Sequence, residues 1–314
     1  MTTLSRLWRS NAPLTAGGLL MLAALAATLA GLWLDPRVIT GAPAWLKPSK
    51  FAVSTAIYMF TLAWIFSYLP DWPRMRSRVG WVTAAVLVLE VLLISLQAWR
   101  GTTSHFNIGT PFDVAVFATM GVAIFVQTGS SVAATVALFR QRFADPALGW
   151  ALRLGLAISI AGASVGGLMT RPTTAQLADA RPGYRLTVGG AHTVGAPDGG
   201  PGLPGTGWSV AHGDLRVPHF YGLHAMQILP WFALLLTTSR SADSRRVRLV
   251  AVAGASYFAL FVLLLAQALA GESFIAPSAP MIGALAAWAL GTVTAAWVAR
   301  GAAAPLPTNA VTMG

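Results

Sequence analysis

Three features of this 314-residue sequence predict an all-α, polytopic membrane protein with about eight transmembrane helices. Hydrophobic residues make up 55% of it and charged residues 10%, where a water-soluble domain carries about a quarter charged residues. Its mean hydropathy is +0.64. The apolar residues lie in continuous runs near the 20 or so that carry a helix across the hydrocarbon, not in the short alternating stretches of a barrel strand. So few polar side chains cannot cover a soluble surface. That excludes an ordinary soluble enzyme, a disordered chain and a nucleic-acid binder with a solvated basic face. The formal charge of +11 then needs another explanation.

Eight runs qualify as spans of one membrane domain covering 1–314: 13–34, 51–70, 81–99, 112–139, 149–170, 219–239, 249–270 and 281–299. The first follows Arg6 and Arg9 as a signal peptide would. Its apolar run is longer than the roughly 7–15 residues of a signal core, so it reads as an uncleaved anchor. The fifth is diluted by Gly and Ser and contains Arg153. Gly155, Ser159, Ala163 and Gly167 in the fifth span, and Gly283, Ala287, Gly291 and Ala295 in the eighth, repeat at the four-residue spacing that lets helix backbones approach closely.

The basic residues set the direction. Loops 1–12, 71–80, 140–148, 240–248 and 300–314 hold twelve arginines against three acids. The alternate loops hold eight basic residues against six acids, and Glu90 and Arg153 lie within spans. The charge thus records topology. Both termini are expected in the cytoplasm of a bacterial cell, with the chain in the inner membrane, the lipid bilayer as its partner and nucleic acid excluded. With no cysteine, disulfides, thiolate chemistry, iron–sulfur clusters and covalent haem attachment are excluded as well.

Candidate chemistry concentrates on the outer side, where all five histidines fall: His105, His192, His212, His219 and His224. The loop 171–218, with ten glycines and six prolines, is expected to form a cap. Tyr184–Val188 and Ala191–Val194, joined by Gly189 and Gly190, read as a short β-hairpin in it. His105, His212, Asp214, His219 and His224 form the candidate set for a transition metal, haem or a small ligand, since imidazoles with a carboxylate suit all three. His219 and His224 point roughly 140° apart on a helix and make no i, i+4 ligand pair, whereas Tyr221, His224 and Gln227 share a face.

Within the bilayer, Glu90 and Gln97 lie on one face of the third span above Thr83. With Gln227 they make an intramembrane polar stripe, where an acid must be protonated or paired. Arg153 is the basic counterpart at depth. Lys47 and Lys50, the chain's two lysines, precede the second span against the positive-inside trend. With Arg100 they are candidate anion contacts, or else they snorkel to headgroups.

RGTTSHFN (Arg100–Asn107) and GDLRVPHFYGLHAMQ (Gly213–Gln227) resemble segments of a family of bacterial multi-pass membrane proteins to which no activity is attached. The resemblance covers the middle two-thirds of the chain, implies a membrane fold and carries no catalytic residue over. The HxxxH pair of ceramidase-like hydrolases and the HExxH of metalloproteases are absent. Three function classes stay open: an outer-face His/Asp site for a metal, haem or small ligand, a proton- or cation-coupled transporter centred on Glu90, and a non-catalytic assembly or sensor protein. A hydrolase using Ser104, His105 and Asp113 ranks last, because adjacent Ser and His side chains rarely form a catalytic pair.

Overall fold

A computed structural model describes residues 2–180, 185–237 and 242–301. Helices dominate: α1 (Thr3–Ser10), α2 (Ala12–Leu34), α3 (Leu46–Phe66), α4 (Pro73–Trp99), α5 (Pro111–Arg140), α6 (Pro146–Met169), α7 (Thr174–Asp179), α8 (Arg216–Leu223), α9 (Ala225–Leu236), α10 (Asp243–Leu269) and α11 (Ala279–Gly301). Two minimal antiparallel ribbons join them, β1 (Val38–Ile39) with β2 (Ala42–Pro43) and β3 (Thr193–Val194) with β4 (Gly213–Asp214). Among the described residues, seven helices are long and apolar enough to cross a membrane: α2, α3, α4, α5, α6, α10 and α11. The protein is an integral, multi-pass membrane protein. Its outward faces are apolar, with Trp33 91% and Phe125 80% exposed, as lipid contact requires.

Helix ends are written into the sequence. Prolines sit in the first turns of α2, α4, α5 and α6, where the missing N–H costs nothing. Asn11, Thr110 and Asp145 cap three of these with side-chain oxygens. The short α1, read from sequence as loop, is amphipathic, with Leu7 against the core and Arg6 and Arg9 among its polar residues.

The segment expected as the sixth span is broken at His224 into α8 and α9. Gly222, two residues before the break, packs directly on α6: a Cβ there would lie 2.5 Å from the Cα of Gly162. Backbones this close leave carbonyls to be satisfied by side chains. Tyr257 Oη donates to the Tyr221 carbonyl (2.6 Å) and Ser159 Oγ to that of Leu223 (3.1 Å). Pro230 lies inside α9. The fifth-span stripe is thereby used, through Gly155, Ser159 and Gly162, with Gly162 in place of the expected Ala163. The stripe on α11 is not: side chains added at Gly283 or Gly291 would meet open space, and α11 packs on α10 through Trp288 and Thr292.

Side-chain contacts sort the loops onto two ends, as alternation demands. At one end Asn11 Nδ2 donates to the Arg76 carbonyl (2.8 Å), Gln141 Nε2 to Asp71 (2.9 Å), and Arg246 pairs with Asp145 (2.5 Å). The other, the cap end, carries residues 35–45, 100–110, 170–180, 185–215 and 270–278.

The expected hairpin over 184–194 does not form among the described residues, and Tyr184 lies outside them. Instead the strand zips onto the loop between α4 and α5. Ile108 N–H donates to the Thr187 carbonyl (2.9 Å) and Gly189 N–H to that of Phe106 (2.8 Å). A partner already held between two helices outcompetes a flexible glycine turn, and Gly190, at φ +129°, is pressed against Met169 and Phe106 instead. Thr193 and Val194 pair with Asp214 and Gly213.

Gly222→Leu is expected to lower the melting temperature and broaden the size-exclusion peak of the purified protein, by overpacking worth roughly 1–3 kcal/mol or more. Gly167→Leu on the same α6, where a side chain meets open space, is expected to leave both unchanged. Equal behaviour of the two variants would contradict the close α6–α8 approach.

Candidate functional site

The sequence places Lys47 and Lys50 in a loop, but the structure puts them in the first turn of α3. The helix starts early because Trp45 is tethered: its indole N–H donates to Asp35 (2.8 Å), which Arg37 grips in turn. Pro48, in that first turn, fits a helix start. Lys47 therefore faces the loop between α4 and α5, with Nζ 3.1 Å from His105 Nδ1 and 5.9 Å from the centre of the Phe51 ring. Ser104 Oγ is 3.0 Å from the same nitrogen. Since both neighbours are donors, Nδ1 accepts and the His105 proton sits on Nε2.

Two further imidazoles close on this point. His192, in the roof strand, has Nδ1 2.7 Å from Asp198, and His219, on α8, has Nδ1 2.8 Å from the Gly162 carbonyl. An oxygen acceptor makes each Nδ1 a donor, leaving the Nε2 lone pair of His192 and of His219 free. Phe106 lies between, its ring 6.1 Å from His105 and 4.8 Å from His192. Lys47, His105, His192 and His219 are all half-buried.

The roof over them is ordered by cations and amides. Lys50 Nζ donates to the Thr206 carbonyl (2.8 Å) and Arg216 to that of Gly207 (2.6 Å). Arg216 also grips buried Asp214 (2.6 Å), whose carboxylate takes the Ser209 N–H (2.8 Å) as well. Gln176 holds Gly190 by both backbone groups, at 3.0 and 3.1 Å. Leu215 N–H donates to the His192 carbonyl (3.0 Å).

Burial pushes the His105 imidazole well below its ordinary pKa, and the charge of Lys47 adds to this. Burial also lowers His192, against the opposing pull of Asp198. Burial of Asp198 resists its ionisation. The hydrogen bonds from the His192 ring and from the His192 and Thr193 amides outweigh that and hold its carboxyl well below the usual range. The site is thus neutral imidazoles, one ionised carboxylate and an ammonium.

The five residues grouped from sequence are dispersed. His105 and His219 belong to this cluster. His212 is exposed, Asp214 is consumed by Arg216, and His224 caps α8 against Phe220. Among the described residues, no group of three or more His, Asp or Glu side chains is arranged to hold a metal ion. Of the anion contacts, Arg100 is committed to Asp113 (2.6 Å) and Gln97, and Lys50 to the roof. Asp113 is further tied by Gln97 (2.9 Å) and Thr110 (2.6 Å), so it is not the acid of a Ser104–His105 triad. Gln227 reaches Thr61 (3.3 Å). Glu90 and Arg153 do not meet: Arg153 donates to the carbonyls of Leu138 (2.9 Å) and Gln141 (2.7 Å) and lies over Phe143. The residues missing from the sequence's set are His192 and Asp198. Their signal was a histidine and an acid six apart in a loop rich in Gly and Pro.

Comparison with known protein families, with curated proteins and with solved structures finds no match.

The histidines set the acid sensitivity. A group whose folded pKa is depressed from about 6.5 adds stability above that value and loses it as pH falls below, because the unfolded chain then binds protons that the fold refuses. Asp198 loses its share only below about 3.9, the ordinary carboxylate value. The melting temperature is therefore expected to drop between about pH 7 and about pH 5. His105→Gln, which removes one titration and keeps an acceptor for Lys47, should flatten that drop. An identical slope in the variant would rule out this origin.

Proposed function

We propose that this membrane protein receives a small anionic ligand, bearing a carboxylate or phosphate group, in the recess between Lys47, His105, His192 and His219. One observation carries the reading. Lys50 and Arg216, the cations that hold the roof, are bonded to a carbonyl or a carboxylate, whereas the Lys47 ammonium has three donors and, among the described residues, bonds one neutral nitrogen. An anion supplies the missing acceptors, and the His105 Nε2–H gives it a second donor. The charge bias supports reading this site as lying on the outer side of the membrane, here taken as a bacterial inner membrane, beneath the 171–218 cap.

A second reading keeps the metal or haem. His192 and His219 each spend Nδ1 on an oxygen and leave Nε2 open, as metal-bound imidazoles do. Elemental analysis and an absorption spectrum of the purified protein decide it. Stoichiometric metal or a Soret band favours it, and colourless, metal-free protein excludes it.

The anion reading is tested by thermal shift of the purified protein with inorganic phosphate and with acetate, citrate and succinate. A ligand at about 100 times its dissociation constant adds roughly 2.7 kcal/mol of stability. The shift is expected in the native chain and in Arg100→Gln, and to vanish in Lys47→Met. A shift that survives Lys47→Met, or none with any anion, overturns the reading.

A further inference from the structure

The third span holds a group that the recess does not use. Thr83, Leu87, Glu90, Ile94 and Gln97 fall on one inward stripe of α4, and all are buried. Gln97 is bonded to Asp113 and Arg100. Glu90 is different: 2% exposed, with both carboxyl oxygens buried and, among the described residues, without a hydrogen-bond partner. Thr83 Oγ1, two turns below, likewise has none among them. A carboxylate stripped of water and of every donor is among the costliest groups to bury. A carboxylic acid in the same place costs far less.

The surroundings offer one counter-charge. On α3, Lys47 acts on Glu90 through its charge, while Tyr58 is bonded to Ser131 (3.0 Å). The facing helix α2 carries no titratable side chain between Ala12 and Leu34. On α5, Asp113 is held by Arg100, Gln97 and Thr110. Beyond Lys47 stands His105, whose Nδ1 takes the lysine's hydrogen bond. Glu90 therefore has two states, neutral when protonated and, when ionised, opposed to Lys47.

We propose that Glu90 is a proton-exchange site inside the bundle, loaded and unloaded from the cap end through Lys47 and His105. In unloading, the Lys47 ammonium breaks one N–H bond and gives that proton to His105 Nδ1. The resulting amine, which makes no hydrogen bond to Glu90 at rest, swings to it and forms a new N–H bond with the proton leaving the carboxyl. Glu90 ends as carboxylate, Lys47 again as ammonium and His105 as imidazolium, so one proton has moved and the total charge is unchanged. His105 then releases a proton from Nε2 to the recess. Loading is the reverse. This inference stands whether or not the recess binds an anion.

The chain has two glutamates, Glu90 and Glu272, so labelling isolates the site. The full-length protein carrying ¹³C-glutamate and Glu272→Gln is reconstituted in lipid nanodiscs and followed by infrared spectroscopy against pH. A labelled protonated-carboxyl band is expected at neutral pH, disappearing reversibly on alkaline titration. In Lys47→Met the midpoint should rise by at least one pH unit, a tenfold change, because the counter-charge is gone. In His105→Phe the band should respond at least tenfold more slowly to a pH jump. Glu90→Gln should lack the band. If that variant fails to fold, the labelled native glutamate still reports. A glutamate ionised at neutral pH, a band that no alkaline pH removes, or a midpoint and rate unmoved by both substitutions would overturn the proposal.

Discussion

The approach of α6 to α8 at Gly162 and Gly222 is the contact on which the rest of the cap end depends. It brings two backbones closer than any side chain allows, two residues before the apolar run after Arg216 divides into two helices. The carbonyls exposed at the break are taken by Tyr257 and Ser159. The Gly162 carbonyl is taken by His219, which fixes that imidazole's tautomer and direction. Two turns further along, the end of α6 receives the roof strand, with Ala191 bonded to the Met169 carbonyl. A single glycine contact thus sets the sixth segment, one imidazole and the height of the cap.

Charge is handled in two ways in this molecule. Where it serves structure it is paired: Arg100 with Asp113, Arg216 with Asp214, Arg246 with Asp145. Arg153 solves the same problem with two carbonyls and a set of aromatic faces, at a bundle end where water is near. Lys47 and Glu90 follow neither pattern. One is a cation with a neutral partner and the other an acid with none. Polar groups left this way inside low dielectric have a cost that structure alone does not repay, which is why both proposals rest on them.

The membrane helices were legible because run length and hydropathy are local properties. The first span, expected at 13–34, is Ala12–Leu34, and the fourth, expected at 112–139, is Pro111–Arg140. What failed was set by distant contacts. α3 begins at Leu46 because Asp35 anchors Trp45, and nothing within 51–70 records that. The 184–194 hairpin lost to a pairing with the α4–α5 loop. Lys47, His105 and His219 could be flagged from residue type and side of the membrane. His192 and Asp198 could not be joined to them, because a glycine-rich loop has no period to say which way its side chains face.

The roof also has an order of assembly built into it. It is tied together by Val188 against Asn107, His192 against Leu215 and Lys50 against Thr206, pairs drawn from segments far apart along the chain. Each α-helical span can insert as it is made, but the ties of Val188 to Asn107 and of Lys50 to Thr206 close long loops and are expected to form after the spans they join.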